Sequence, residues 1–296
     1  MTARGHIRRH ATVTAACLAV LSGGLLLGGC GNGDDGKDGR GNGRGQGAEE
    51  TREGRATLSE AQRDRADQML TVFENGTTEP QYDYAENLGD GRGVTAGRIG
   101  FTTSDGDALT VVRAYAKEVP GNPLARFAPE LERLRKQNSG DTEGLPEERY
   151  VAAWKRAAKD EKFREIQDRQ IDRRYYGPAM READRVGLKT PLARAELYDT
   201  AVQHGAGHDP DSLHALVRRT TKKAGTVGEA GEKKWLDAFL STRAANLRSP
   251  SNEATADEWK KSVDRVEAIR RLADRGNYDL DGPFKLKAFG GSYSIE

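Results

Sequence analysis

The stretch FENGTTEPQYDYAENLGDGRGVTAGRIGF, residues 73–101, separates a helical start from the rest of the chain. Its fourth residue, Gly76, is a typical helix stop signal. From Tyr82 to Phe101, aromatic or apolar residues alternate with polar ones on both sides of the cluster Gly89-Asp90-Gly91-Arg92-Gly93. Alternation on either side of a glycine-rich turn predicts a small antiparallel hairpin.

The residues before this stretch have the pattern of an amphipathic helix. Ser59 followed by Gln62 forms a capping box at its start. Apolar residues then recur at helical spacing on one face: Ala66, Met69, Leu70 and Phe73. The pattern predicts a helix from Ser59 to Gly76.

Helical patterns also dominate the chain after residue 101. Apolar positions recur at helical spacing near residues 109–115, 124–134, 150–166, 213–217, 235–240 and 263–269. Thr190-Pro191 and Asp209-Pro210 each resemble an N-cap followed by proline at the first helical position. The tail from Asn277 is expected to be irregular or extended. These patterns predict a mainly α fold (α+β) with a small β portion.

Two carboxylates have surroundings that should drive their pKa values apart. Glu74 follows core-facing Phe73 at the C-terminal end of a helix, where apolar surface and the helix dipole favour the protonated form. Asp90 lies in an exposed, glycine-flanked turn that favours the ionised form. Such a pair suits the general acid and general base of glycoside hydrolysis. A capping glutamate and a turn aspartate are the alternative interpretation.

Other chemical motifs are weak. The glycines of the 89–93 cluster are not followed by a helix or a phosphate-binding lysine, so a tight turn is the better interpretation. His204 and His208 have the i, i+4 spacing of a zinc pair, but Gly205 and Gly207 would break a helix there. A loop with one substrate-facing histidine is favoured over a metal site. We expect no metal and no cofactor.

The N-terminus has the pattern of an export signal. Three arginines precede a short apolar run that ends Leu27-Gly28-Gly29-Cys30, which resembles the lipobox of bacterial lipoproteins. The pattern predicts a signal peptide over residues 1–29, a lipidated Cys30 and a glycine-rich linker over residues 30–56. An ordinary secretory signal is the alternative. Residues 57–296 remain for the catalytic domain, and the product is exported to the cell surface or beyond.

Charge and cysteine content exclude some classes of protein. The chain has 47 basic and 46 acidic residues, and removing the signal with Arg4, Arg8 and Arg9 leaves 44 against 46. A nucleic-acid binder would need a basic surplus. Cys17 lies in the signal, so Cys30 alone remains and no internal disulfide is possible.

The central stretch resembles the active-site region of glycoside hydrolase family 46, the chitosanases. The residues that carry the resemblance are Phe73-Glu74-Asn75, Gln81-Tyr82-x-Tyr84-x-Glu86-Asn87 and Gly89-Asp90-Gly91-Arg92-Gly93-x-Thr95-x-Gly97. The resemblance extends over nearly the whole chain after the linker. It implies a lysozyme-like, two-lobed helical fold with a small sheet beside the cleft. It also implies endo-hydrolysis of β-1,4-linked glucosamine with inversion.

The resemblance assigns roles to particular residues. It places Glu74 as general acid, Asp90 as general base and Thr95 as the residue that helps to place the attacking water. It implies substrate contacts from Tyr84, Glu86, Arg92, Asp107 and His204. It also implies a buried ionic cluster behind the acid, formed by Asp199, Arg243 and Arg265. An ion-pair network that stabilises the fold is the other interpretation of the same three residues, and both interpretations can hold.

Two other functions remain open from the sequence. One is a lysozyme-like hydrolase of peptidoglycan, which an acidic cleft disfavours because peptidoglycan is anionic. The other is a non-catalytic surface lipoprotein that binds polysaccharide. The expected partners are chitosan or glucosamine oligosaccharides, with no nucleic acid and with membrane contact only through a lipid at Cys30. The protein is expected to act as a monomer.

Overall fold

The computed structural model describes residues 58–137, 140–251 and 256–296. The signal peptide, the linker and Cys30 lie outside these residues, as does residue 57 of the expected catalytic domain. Within the described part, no helix has the length and apolar character needed to cross a bilayer.

The described residues form twelve α-helices, two of them very short, and two small sheets. The helices are α1 (Glu60–Asn75), α2 (Asp107–Glu118), α3 (Ala128–Gln137), α4 (Glu147–Ala157), α5 (Glu161–Ile171), α6 (Gly177–Val186), α7 (Pro191–His204), α8 (Leu213–Ala224), α9 (Val227–Ala230), α10 (Glu232–Arg248), α11 (Ala256–Lys261) and α12 (Val263–Asp274). A short 3-10 helix, Ala125–Phe127, precedes α3. A five-residue π-helix, Asp172–Tyr176, joins α5 to α6. The mainly α prediction is confirmed.

Both sheets are antiparallel. One has the order β1-β2-β3, with strands Ala85–Asn87, Val94–Ala96 and Phe101–Thr102. Its register pairs Thr95 with Glu86 on one side and with Thr102 on the other. The other sheet is a hairpin of β4 (Phe284–Ala288) and β5 (Gly291–Ile295), which forms most of the tail that the sequence left as irregular or extended.

The elements pack as two groups. β1–β3 pack with α2 and α4 around a buried aromatic cluster that includes Phe101, Tyr150, Trp154 and Phe163. In the other group, α10 packs against α8 and α12, and α12 packs against β4. The continuous path α5–π-helix–α6 connects the groups, and α1 contacts α7, β4 and β5. Contacts with α7, β4 and β5 therefore hold α1 against the second group.

The first helix agrees with its prediction in detail. Ser59 and Gln62 form the capping box, and Gly76 ends the helix with a left-handed φ of 67°. These signals are local, because each depends on residues within one turn of the helix end. The start of α1 could therefore be predicted from sequence alone.

Two other predictions differ from the structure. The expected hairpin is a three-stranded sheet, because Gly97 and Gly100 both adopt positive φ and turn the chain again between β2 and β3. The predicted helix start at Asp209-Pro210 is wrong: α8 begins three residues later, capped by Ser212. The Asp209 carboxylate instead accepts a hydrogen bond from the backbone N–H of Asp211, which forms a turn.

The turn at Gly97 allows a stability prediction. Its φ is 76°, and an added Cβ would lie 2.5 Å from Oε1 of Gln167 and 3.0 Å from Trp154. We expect Gly97→Ala to lower the free energy of unfolding by roughly 2–4 kcal/mol, from backbone strain plus overpacking. Urea denaturation measures this. Gly187→Ala, at a φ of 85° with nothing within 4 Å, is the matched control and should cost about 1 kcal/mol. Equal losses would contradict the steric explanation.

Candidate active site

Glu74 lies one residue before the end of α1, and its carboxyl group is buried. Arg265 on α12 donates from Nη2 to Oε1 of Glu74 over 2.8 Å. Burial raises the pKa of Glu74 and outweighs the opposing effect of the Arg265 guanidinium, so the pKa lies above its usual value. The C-terminal end of the helix dipole acts in the same direction. A carboxyl group that keeps its proton in this way is suited to donate it.

Behind Glu74 lies a chain of buried ion pairs. Nη2 of Arg265 lies 2.5 Å from Oδ1 of Asp199, and Nη1 of Arg243 lies 2.6 Å from Oδ2 of the same carboxylate. Burial alone would raise the pKa of Asp199, but the two guanidiniums outweigh burial and lower it. The three residues that the resemblance placed in an ionic cluster thus meet through one carboxylate, and the cluster fixes Glu74 through Arg265.

Glu196 is a further member that the sequence analysis missed. Its Oε1 lies 3.0 Å from Nη1 of Arg243, and its side chain is fully buried. Burial raises its pKa to about 7, with Arg243 acting in the opposite direction. Glu196 and Asp199 are three residues apart on α7, so they share one helix face. This spacing from Asp199 is the sequence signal that could have identified Glu196.

Asp90 lies in the loop between β1 and β2 and is exposed. Nη2 of Arg92 lies 2.6 Å from its Oδ2, and Nε of Arg92 donates to the same oxygen over 3.0 Å. The backbone N–H of Arg92 donates to Oδ1 over 3.1 Å. These contacts fix the orientation of the carboxylate. Asp90 therefore contrasts with Glu74 in exposure and in hydrogen bonding.

Thr95 occupies the central strand of the sheet. Its side chain is buried, and Oγ1 has no hydrogen-bond partner among the described protein groups. On the neighbouring strand Glu86 is exposed, and the hydroxyl of Tyr84 donates to its Oε2 over 3.3 Å. The strand pairing sets Glu86 opposite Thr95, one residue pair away from the loop that carries Asp90.

Asp107 is the first residue of α2 and is almost fully buried. Its Oδ1 accepts hydrogen bonds from the backbone N–H groups of Thr102, over 2.7 Å, and Ala108, over 2.8 Å. Its Oδ2 lies 3.8 Å from Nη1 of Arg174 in the π-helix. Burial raises the pKa of Asp107 to about 6, against the lowering effect of Arg174 and of the backbone donors.

The structure corrects the interpretation of His204 as a substrate-facing loop residue. His204 is the last residue of α7, and its side chain is fully buried. Nδ1 lies 3.0 Å from the carbonyl of Asp211, and Nε2 accepts from Nε of Arg243 over 3.3 Å. Burial and then Arg243 lower the pKa of His204 well below its usual range, so the ring is neutral. His204 therefore contacts the ionic cluster from inside the fold and has no exposed surface.

A cavity of 610 Å³ lies beside α1. It is lined in part by Arg63, Asp67, Tyr82, Arg98, Asp168 and Asp172, and neither Glu74 nor Asp90 belongs to its lining. The guanidinium of Arg98 is nearly buried and pairs with Asp168 over 2.5 Å and with Asp67 over 3.2 Å. These ion pairs connect α1, the β2–β3 turn and α5.

Comparison with known families now identifies the chain. The profile of Glycosyl hydrolase family 46 matches residues 68–284. The chain belongs to glycosyl hydrolase family 46. The prediction of this family, and of a glycosidase, is confirmed.

Curated relatives in family 46 cover most of the chain. A chitosanase of Bacillus subtilis (strain 168) is 52% identical over 235 residues, which are 79% of this chain and 84% of the relative. A chitosanase of Streptomyces sp. (strain N174) is 36% identical over 232 residues, 77% of this chain and 80% of the relative. The similarity therefore covers more than three quarters of the chain.

Solved structures of family 46 proteins share the fold. The native chitosanase of Bacillus subtilis MY002 superposes with a TM-score of 0.76 at 50% identity, covering 81% of this chain and 100% of that chain. A mutant of the MY002 chitosanase, solved with six glucosamine units, gives the same values. A family 46 chitosanase of Gynuella sunshinyii in complex with chitotetraose has a TM-score of 0.75 at 40% identity, covering 81% of this chain and 99% of that one. The lysozyme-like, two-lobed fold expected from the resemblance is confirmed.

Proposed function

We propose that this chain is an endo-acting, inverting glycosidase that hydrolyses β-1,4 linkages between glucosamine units of chitosan. The observation that carries the proposal is the contrast between its two carboxyl groups. Glu74 is buried with a raised pKa, whereas Asp90 is exposed and held by Arg92. The family and the chitosanases among its relatives support the substrate.

Glu74 acts as the general acid. Its proton passes to the glycosidic oxygen as the bond to the anomeric carbon breaks, so the leaving sugar departs as a neutral alcohol. Arg265, fixed by Asp199, holds the carboxyl group in position. After proton transfer, the new negative charge on Glu74 lies beside that guanidinium, which stabilises it.

Asp90 acts as the general base. It takes a proton from a water molecule, and the water oxygen bonds to the anomeric carbon on the face opposite the leaving group. The buried hydroxyl of Thr95, which lacks a protein partner, is available to orient this water. Arg92 must release part of its contact with Asp90 for the base to act, and its guanidinium is then free to bind sugar hydroxyl groups.

Acidic groups select a cationic polysaccharide. We propose that Glu86 and Asp107 bind substrate amines, while Tyr84 contacts a sugar ring. Opposite charges attract a glucosamine polymer to such a cleft, whereas anionic peptidoglycan is repelled. The protein is proposed to act as a monomer without a metal or cofactor. In the described residues no group of three or more histidine, cysteine, aspartate or glutamate side chains is placed to hold a metal ion.

We also propose export, with a lipid anchor at Cys30 after removal of residues 1–29. The proposal depends on the sequence pattern alone, since these residues lie outside the described part of the chain. Metabolic labelling with a fatty acid should mark the wild type and not Cys30→Ser. Equal labelling of both proteins would contradict the anchor.

The decisive experiment measures the reducing ends that the full chain releases from highly deacetylated chitosan. Peptidoglycan is the second substrate. Rapid loss of viscosity with few new ends would show endo cleavage, and the anomeric form of the first products, observed by NMR, would show inversion. Cleavage of peptidoglycan alone would replace the proposal with a muramidase. Binding to chitosan without cleavage would make the protein a polysaccharide-binding lipoprotein.

A further inference from the structure

The two oxygens of the Asp107 carboxylate differ in their partners. Oδ1 accepts two backbone hydrogen bonds, from Thr102 and Ala108, and is saturated. Oδ2 has an ion-pair partner, Arg174, at 3.8 Å, which is too long for a hydrogen bond. The Asp107 carboxylate is thus nearly buried, yet the partner of its Oδ2 is a single long ion pair with Arg174.

Arg174 is held loosely. Its side chain is 41% exposed, and its guanidinium carbon lies 5.8 Å from the centre of the neighbouring Tyr175 ring. It belongs to the π-helix Asp172–Tyr176, which connects the two groups of elements at the back of the cleft. A long exposed side chain on such a segment can swing away from its partner with little loss of contact.

Tyr175 lies beside Arg174 in the same segment and packs against the hydrophobic core. Burial raises its pKa to about 12, and the negative charges of Asp107 and Glu74 both add to the increase. The Arg174 side chain reaches Asp107 from the same segment.

We propose that Arg174 is a specificity-determining residue: its guanidinium occupies the place of a substrate ammonium beside Asp107 and is displaced when a deacetylated sugar binds there. The inference rests on the proposed function, in which Asp107 binds a glucosamine amine. When an N-acetylated sugar binds, no ammonium arrives, and Arg174 stays as the counterion of Asp107.

The consequence for specificity follows from charge. A buried carboxylate without a counterion is unfavourable, so Arg174 makes an acetylated sugar tolerable at this position. The guanidinium and the ammonium repel each other, so the glucosamine unit must displace Arg174 before it binds fully. Arg174 therefore reduces the preference for glucosamine over N-acetylglucosamine at this position.

The test uses Arg174→Met, which keeps the apolar part of the side chain and removes its charge. With glucosamine hexamer, KM should fall about threefold to fivefold, the range of a weak exposed ion pair, while kcat stays unchanged. KM for a hexamer carrying an N-acetyl group on every unit that Asp107 contacts should not fall. Calorimetry in the Glu74→Gln background measures binding without turnover. In that background Arg174→Met should lower the Kd for glucosamine hexamer by the same factor as it lowers KM.

Two further variants separate the inference from general electrostatics. Arg173→Met removes a neighbouring charge that has no ion pair in the described residues, and it should leave the ratio of the two KM values unchanged. In the Asp107→Asn background, Arg174→Met should lose its effect on that ratio. An equal effect of Arg173→Met, or a persisting effect in the Asp107→Asn background, would overturn the inference.

The inference and the proposed function fail in different ways. If the wild type neither binds nor cleaves glucosamine oligomers, both are wrong. If the wild type cleaves them and Arg174→Met leaves the ratio of KM values unchanged, the inference alone is wrong. Thermal unfolding of Arg174→Met should match the wild type within about 2 °C, because the substituted side chain is exposed.

Discussion

Glu74→Gln is expected to lower kcat on chitosan by roughly 10³-fold, since the glutamine amide is too weak an acid to protonate the leaving oxygen. Affinity for glucosamine oligomers should remain, because the amide has nearly the shape of the carboxyl group. Its carbonyl oxygen can still accept the hydrogen bond from Arg265 that Oε1 of Glu74 accepts now. Reducing-end release and calorimetric binding of a glucosamine hexamer measure the two quantities.

The matched control is Glu79→Gln, an exposed glutamate five residues further along the chain. It makes the same substitution outside the proposed catalytic pair and should leave kcat unchanged. Thermal unfolding of Glu74→Gln should show a folded protein, so that lost turnover cannot be attributed to unfolding. Turnover within about tenfold of the wild type would remove Glu74 from the role of general acid.

Asp90→Asn is expected to lower kcat by roughly 10²- to 10⁴-fold, because the attacking water then has no base. Asp90→Ala should be equally slow in water and regain turnover with azide. Azide attacks the anomeric carbon without needing a base, while Glu74 still protonates the leaving oxygen. The product of an inverting reaction should be the α-glycosyl azide, which NMR distinguishes from the β form.

Asp83→Asn is the control for Asp90, because Asp83 is also exposed and lies seven residues earlier. It should retain wild-type turnover and show no response to azide. A β-glycosyl azide from Asp90→Ala would indicate a retaining mechanism. No rescue at any azide concentration, together with full activity of Asp90→Asn, would assign the base to another residue.

Local signals explain what could be predicted from the sequence. The cap of α1, its glycine stop and the glycine-rich turn each depend on a few consecutive residues, and they place Glu74 and Asp90 on their elements. The family resemblance then grouped residues that are far apart in sequence, such as Asp199 and Arg265. Composition and periodicity alone could not have joined them, because their contact depends on how α7 packs near α12.

Tertiary packing explains what the sequence analysis missed or misread. His204 precedes two glycines and looked exposed, yet Trp259 of α11 packs edge-on against its ring at 4.7 Å and Arg243 of α10 covers Nε2. Arg174 gives no sequence signal, because its significance depends on a π-helix that brings it to Asp107. Contacts with elements far away in the sequence therefore determine the surroundings of both His204 and Arg174.

The buried cluster behind Glu74 couples folding to the uptake of a proton. It contains three carboxyl groups, on Glu74, Asp199 and Glu196, and two guanidiniums, on Arg243 and Arg265. If every group were ionised, the cluster would hold an uncompensated negative charge away from water, which is strongly unfavourable.

The pKa values of Glu74 and Glu196 are both raised, whereas that of Asp199 is lowered, so the proton that restores neutrality belongs to one of the two glutamates. An unfolded glutamate would release that proton near its usual pKa of 4.5, and the folded chain therefore takes one up. Because the folded pKa is the higher one, this stabilisation is complete below the unfolded pKa and is lost as the pH rises through the folded value. Loss of this proton at alkaline pH thus destabilises the fold, and a proton held by Glu74 is the one that the proposed reaction uses.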